Sequence, residues 1–221
     1  MSSSNAHAHH APAPGEPTLA HHFETQHQQD SAVRLGMWLF LGTEVLLFAG
    51  LFLGYTVYRN FYHEAFHEAS RTLDVTLGAA NTVILITSSL TVALAYHAIK
   101  QGKSKLSAGL IAFTLLCALA FLAIKGVEYS QKFEHGSLPG AWFRNPHLPP
   151  AANLYFTIYF LSTGLHAFHV IVGASVLAFV LKGLVQGKYG PKNNVAVELG
   201  GLYWHLVDLV WIFLFPLLYL I

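Results

Sequence analysis

LGMWLFLGTEVLLFAGLFLGYTVY, residues 35 to 58, decides the fold: twenty-four residues with Glu44 as their one ionisable side chain. A run of this length and composition crosses a bilayer as a helix. Glu44 then lies about 15 Å from either end, where a charged side chain costs roughly 3 kcal/mol or more to insert. Nothing in hydrocarbon hydrates a carboxylate, so Glu44 is expected to face protein. The reading is functional, with a polar packing contact to a neighbouring helix as the bland alternative.

Outward from this run the composition agrees. The chain has 221 residues, 54% hydrophobic and 10% charged, with a formal net charge of +1 at pH 7. That is far below the charged quarter of soluble domains and reads as a multi-pass membrane protein. No basic cluster with interleaved aromatics occurs, so nucleic acid is not an expected partner. Cys117 is the single cysteine and lies in an apolar run, which leaves no disulfide framework and no thiolate metal site.

The expected fold is all-α, a polytopic membrane bundle of five transmembrane helices over about 34–59, 76–99, 106–127, 153–181 and 197–221. Residues 1–33 are rich in His, Ala, Pro and Gln and are expected to be a disordered cytoplasmic tail, with 34–221 as the membrane domain. Histidines 7, 9, 10, 21, 22 and 27 of that tail have irregular spacing and no acid or cysteine to complete a tetrahedral set, so no specific metal site is expected. The loops 100–105 and 182–192 carry three lysines each. With Arg34 they give seven cations on one side against five on the other, which puts the N-terminus in the cytoplasm and the C-terminus outside. Tyr55, Tyr58, Phe61, Tyr62, Tyr155 and Tyr159 are expected as interface aromatics at the outer ends of two spans. Gly50 and Gly54 have a spacing that permits close helix approach.

The remaining polar groups fall in stripes. Thr163, His166 and His169 share one face of the fourth span. Glu198, Gly201, His205 and Asp208 do so on the fifth, and Asn81, Ser88 and Ser89 come from the second. Helical rise puts Glu44 about 15 Å, His205 about 12 Å, Asp208 about 16 Å and His169 about 18 Å from the cytoplasmic ends. Matched depth predicts one hydrogen-bonded cluster from three helices, with Glu44 and His169 in contact. His169 and His205 also match in depth as a haem ligand pair. Histidines satisfied by polar neighbours are the favoured alternative, and no metal is expected in this chain.

Several of these segments resemble subunit III of haem–copper terminal oxidases. Leu39-Phe-Leu-Gly-Thr-Glu44-Val-Leu-Leu-Phe-Ala-Gly50 is similar to its carboxylate-bearing helix. Asn81-Thr82 with Ser88-Ser89 is similar to the next helix, and Glu128-Tyr129 to the end of the one after. Ser162-Thr-Gly-Leu-His166-Ala-Phe-His169-Val resembles the family's T-G-x-H-x-x-H-V signature. Tyr203-Trp204-His205-Leu-Val-Asp208-Leu-Val-Trp211 resembles its W-H-x-x-D-x-x-W signature.

The resemblance spans about residues 34 to 221 and implies the five-helix bacterial form. It implies a chain without a catalytic centre or redox cofactor of its own. Haem and copper then belong to partner subunits I and II, phospholipid is bound, and the chain supports subunit I and proton uptake. Glu44 matches the family's carbodiimide-reactive carboxyl. His166, His169, His205 and Asp208 are implied as buried polar groups, and Asn81, Glu128, Trp204 and Trp211 as structural or lipid-facing positions. The complex would reduce oxygen in the bacterial cytoplasmic membrane, taking electrons from cytochrome c or, as the runner-up, quinol. A relative associated with nitric oxide reduction comes third. From another class, a small proton-coupled transporter would use Glu44 and the His/Asp layer as a relay, although no span is broken at mid-membrane and no paired halves appear.

Overall fold

The computed structural model describes residues 19–21 and 23–221. Among them six α-helices form, and five of these are long and apolar enough to cross a membrane. The first helix, α1, runs Gln26–Phe61 and starts eight residues before the expected span. Its polar first turns are held by Thr25, whose hydroxyl accepts from the amide of Gln28, an N-cap that outweighs the lack of apolar periodicity there. The tail expected over 1–33 therefore meets helix from Gln26 onward, while residues 1–18 and His22 lie outside the described residues.

A short α2, His63–Ser70, fills the first connection, with Phe66 pinned between Tyr55 and Tyr155 at ring distances of 5.6 and 5.4 Å. Helix α3, Val75–Lys100, is capped by Asp74, which accepts from the amides of Thr76 and Leu77. A tight turn at Gly102, where φ is +76°, leads into α4, Ser104–Glu134. Only glycine takes that backbone conformation without steric cost. Helices α5, Ala152–Val185, and α6, Val195–Tyr219, complete the chain.

Helices α3, α4, α5 and α6 close a ring in which each packs on two others, and α1 lies outside it against α5 and α6. The ring's interior is built by large side chains with small ones opposite. Trp204 and Trp211, seven residues apart on α6, are fully buried, and Gly173 on α5 makes room for the former. Helix α1 adheres by a narrow seam, Leu41, Phe48 and Tyr55, again seven apart, and the rest of its apolar surface faces outward.

Two expectations are corrected here. Tyr55, Tyr155 and Tyr159 are not interface aromatics but fully buried, because each points along a helix face that other helices cover; Tyr58, Phe61 and Tyr62 stay exposed. Gly50 and Gly54 have open space where a Cβ would stand, so their spacing brings no helix of this chain close.

Candidate functional site

Glu44 sits on α1 between the seam residues Leu41 and Phe48, and it leans on α5. Its Oε2 lies 2.7 Å from Nε2 of His169, with both side chains largely buried. The other ring nitrogen, Nδ1, lies 2.8 Å from the carbonyl oxygen of Leu165 one turn back. A carbonyl accepts and never donates, so Nδ1 carries a proton. Nε2 therefore either accepts the proton of a neutral Glu44 or donates its own to a carboxylate. In both forms one proton is shared across a short bond in a wall of Phe48 and Phe168, whose rings lie 5.2 and 5.8 Å from the imidazole. The contact is the one matched depth pairs.

The wider cluster does not form. His205 turns toward α3, where its Nδ1 lies 2.7 Å from Ser89 Oγ. Asp208, one turn further along α6, borders the same α3 side. Depth was matched, but rotation about the helix axis separates them. The face of α6 that fills the ring carries Trp204 and Trp211, so residues one position further round look out between α3 and α6. Glu198 joins neither group and instead forms a two-pronged salt bridge with Arg34, at 3.1 and 2.9 Å, tying the first turn of α6 to the third turn of α1.

His166 is completely buried, between Phe121 and Trp211 at ring distances of 5.5 and 5.3 Å. Neither of its ring nitrogens has a hydrogen-bond partner among the described residues, and the same holds for both ends of the Asn81 amide. The tryptophans are satisfied: Trp204 Nε1 donates to Ser88 Oγ and Trp211 Nε1 to Thr82 Oγ1, each at 3.0 Å. Thr163 bonds Tyr129 across to α4.

Sequence reasoning named Glu128 as a structural or lipid-facing position but missed the bonded group around it. Lys125 and Glu128, one turn apart on α4, form a 3.0 Å ion pair with both side chains at or below 4% exposure. Tyr159 and Tyr219 each donate to Glu128 Oε1, and Lys125 Nζ reaches both tyrosine hydroxyls, at 3.0 and 2.8 Å. A further turn along, Lys132 donates to the carbonyl of Thr72. The signal was the spacing 125, 128, 132, which places all three on one face. Lys125 is hidden in sequence because, two residues from the end of the apolar run 106–127, it reads as one of the five cations on the outer side.

For metal or haem the donor sets are sparse. No group of three or more His, Cys, Asp or Glu converges among the described residues. His63 and His67, one turn apart on α2, stack at 6.5 Å without a third such donor. A haem between His169 and His205 would have to displace Glu44 or the Leu165 carbonyl from one and sit across separate helix faces.

Comparison with known proteins adds to this geometry. The family model described as Cytochrome c oxidase subunit III matches residues 16–221. The chain is similar to the Cytochrome c oxidase subunit 3 of Corynebacterium diphtheriae, 32% identical over 191 residues, which are 86% of this chain and 88% of that one. The subunit 3 of Salmo salar is 30% identical over 199 residues, 85% of this chain and 69% of the relative. A protein of Aeropyrum pernix named Heme-copper oxidase subunit I+III is 31% identical over 195 residues; the match covers 86% of this chain and 23% of that much longer one.

Proposed function

The chain belongs to the cytochrome c oxidase subunit III family, and from that premise we propose that it is the non-redox subunit III of a proton-pumping respiratory oxidase. In this reading subunits I and II hold the haem and copper, oxygen is reduced to water there, and this chain steadies subunit I. The observation that carries the reading is the Glu44–His169 bond. It joins the carboxylate helix and the two-histidine helix, the two most distinctive elements of the resemblance, at the depth where both are buried.

The chain's own residues have three tasks. Glu44 and His169 hold a proton between them and fasten α1, which is otherwise thinly packed, to α5. The Lys125–Glu128–Tyr159–Tyr219 group locks α4, α5 and α6 together toward the end from which α2 extends. Along α1, α5 and α6 runs an apolar groove of about 380 Å³, bordered by Met37, Phe40, Val176, Phe179 and Tyr203, which suits a phospholipid acyl chain. The exposed apolar surface of α1 suits lipid or a neighbouring subunit.

Subunit I as the immediate neighbour is supported by the Aeropyrum pernix relative, whose name joins subunits I and III in one chain. The lysine distribution supports a cytoplasmic N-terminus and a C-terminus outside, and the Corynebacterium diphtheriae relative supports a bacterial membrane. Cytochrome c is the proposed electron donor, since the family and the subunit 3 relatives carry that name. The His-rich sequence before α1 favours quinol as the second reading. Oxygen uptake by the purified complex, driven first by reduced cytochrome c and then by a short-chain quinol, tests the choice. Uptake with cytochrome c supports the proposal, and uptake with quinol alone replaces it by the second reading.

A further inference from the structure

The wall between α3 and α6 carries a groove of about 400 Å³ whose surroundings do not suit lipid. Its rims are apolar, Ile86 on α3 and Ile212 on α6, and small residues, Ser89 and Ala93, open the α3 side. Its floor is polar. His205 is half-buried there with Nδ1 on the Ser89 hydroxyl. Asp208, 2% exposed, has neither carboxyl oxygen hydrogen-bonded among the described residues. The Ser89 hydroxyl, 2.7 Å from His205 Nδ1, also stands close to Asp208, at the edge of the floor.

The groove lies at mid-membrane. Asp208 is thirteen residues from the start of α6 at Val195 and eleven from its end at Tyr219, about 20 and 17 Å along the helix. Lipid headgroups do not reach that depth, and acyl chains offer no hydrogen bond. Polar groups at the bilayer centre are met by other protein. Small residues beside a polar one are the means by which a second transmembrane helix approaches closely and bonds.

We infer that the α3–α6 groove seats a transmembrane helix of subunit I bearing a hydrogen-bond donor, received by the Asp208 carboxyl beside the His205 imidazole. This rests on the reading of the chain as subunit III beside subunit I and specifies which face meets it. The donor suits the carboxyl oxygens of Asp208, which accept, while His205 has its Nδ1 on Ser89 and only Nε2 left for a neighbour. Helix α1 and the outer face of α4 then look toward lipid or other neighbours.

The test uses the intact complex in its own membranes. A photo-crosslinking amino acid replaces Ile86 or Ile212 at the groove rims, and, as a control, Leu116 on the outer face of α4, which is 62% exposed. Crosslinks from both rim positions to subunit I, and none from Leu116, are expected. Rim crosslinks to lipid alone or to subunit II, from a chain that still co-purifies with haem, overturn the inference and leave the subunit III reading standing. A chain that brings down no haem overturns both. Asp208→Leu is expected to lower the subunit III retained on subunit I in detergent by about threefold, the loss of one interhelical hydrogen bond, whereas Asp208→Asn retains it. Equal retention by Asp208→Leu and the parent chain contradicts a bonding role for this floor.

Discussion

The carboxyl of Glu44 on α1 lies 2.7 Å from Nε2 of His169 on α5, while the histidine's Nδ1 is held by the carbonyl of Leu165. The ring cannot rotate without losing one of the two bonds. The pair therefore works as a fixed tie on a helix that buries few side chains of its own.

Removing that tie should be measurable. Glu44→Leu leaves the buried Nε2 without a partner and is expected to cost about 1–3 kcal/mol, read as a lower melting temperature and faster proteolysis at the start of α1. Glu44→Gln keeps a hydrogen bond of the right length but no shared proton. The assembled oxidase is expected to keep its haem spectrum and to lose activity sooner during turnover. An unchanged turnover lifetime at several pH values leaves Glu44 with packing alone.

Breaking the buried ion pair on α4 should be harsher. Lys125→Met strands Glu128, 1% exposed, and a buried charge deprived of its partner costs about 3–5 kcal/mol. Thermal unfolding in detergent should drop by several degrees more than for Glu44→Leu. Replacing both residues together, Lys125→Met with Glu128→Leu, should recover part of the loss, since no charge then remains buried; a double variant worse than Lys125→Met would contradict this account.

Much of the architecture was legible because membrane helices announce themselves by length. The five spans follow from apolar runs, and the Glu44–His169 contact from helical rise, which fixes depth to within a turn. What depth cannot give is rotation about the axis. His205 and Asp208 shared a layer with Glu44 yet face α3, since the tryptophans of α6 occupy the inward face. Tyr55, Tyr155 and Tyr159 were misread for the same reason. A tyrosine near a span's end looks alike in sequence whether it anchors at the interface or caps a buried carboxylate, as Tyr159 does with Glu128. Lys125 was hidden by its position, because a lysine near the end of an apolar run reads as a flank.

The glycines separate in the same physical terms. A Cβ at Gly173 would stand 3.0 Å from the Trp204 ring and 3.1 Å from Tyr203, both parts of the packed interior. Gly173→Val is expected to destabilise by about 1–3 kcal/mol through overpacking. Gly50→Ala, with open space around it in the interior of α1, should raise stability by about 0.5–1 kcal/mol, alanine being the better helix former. Melting temperatures of the two variants, side by side, check the packing of α5 on α6.

At the rim the forecast is small. Arg34 is 42% exposed and Glu198 20%, and exposed pairs contribute about 0.2–1 kcal/mol. Arg34→Ala should shift the melting temperature slightly, and the shift should shrink as salt is raised. A loss as large as that of Lys125→Met would mean that the two-pronged bridge holds α1 more firmly than Glu44 does.

The central claim, that this chain is the subunit III of a haem–copper oxidase, is tested most directly by gentle affinity purification through the chain and a reduced-minus-oxidised spectrum of the product. Haem bands, with subunits I and II present and oxygen consumed when a donor is added, are the predicted result. A chain that leaves well-solubilised membranes alone and without haem, and that moves a solute when reconstituted by itself, would contradict it.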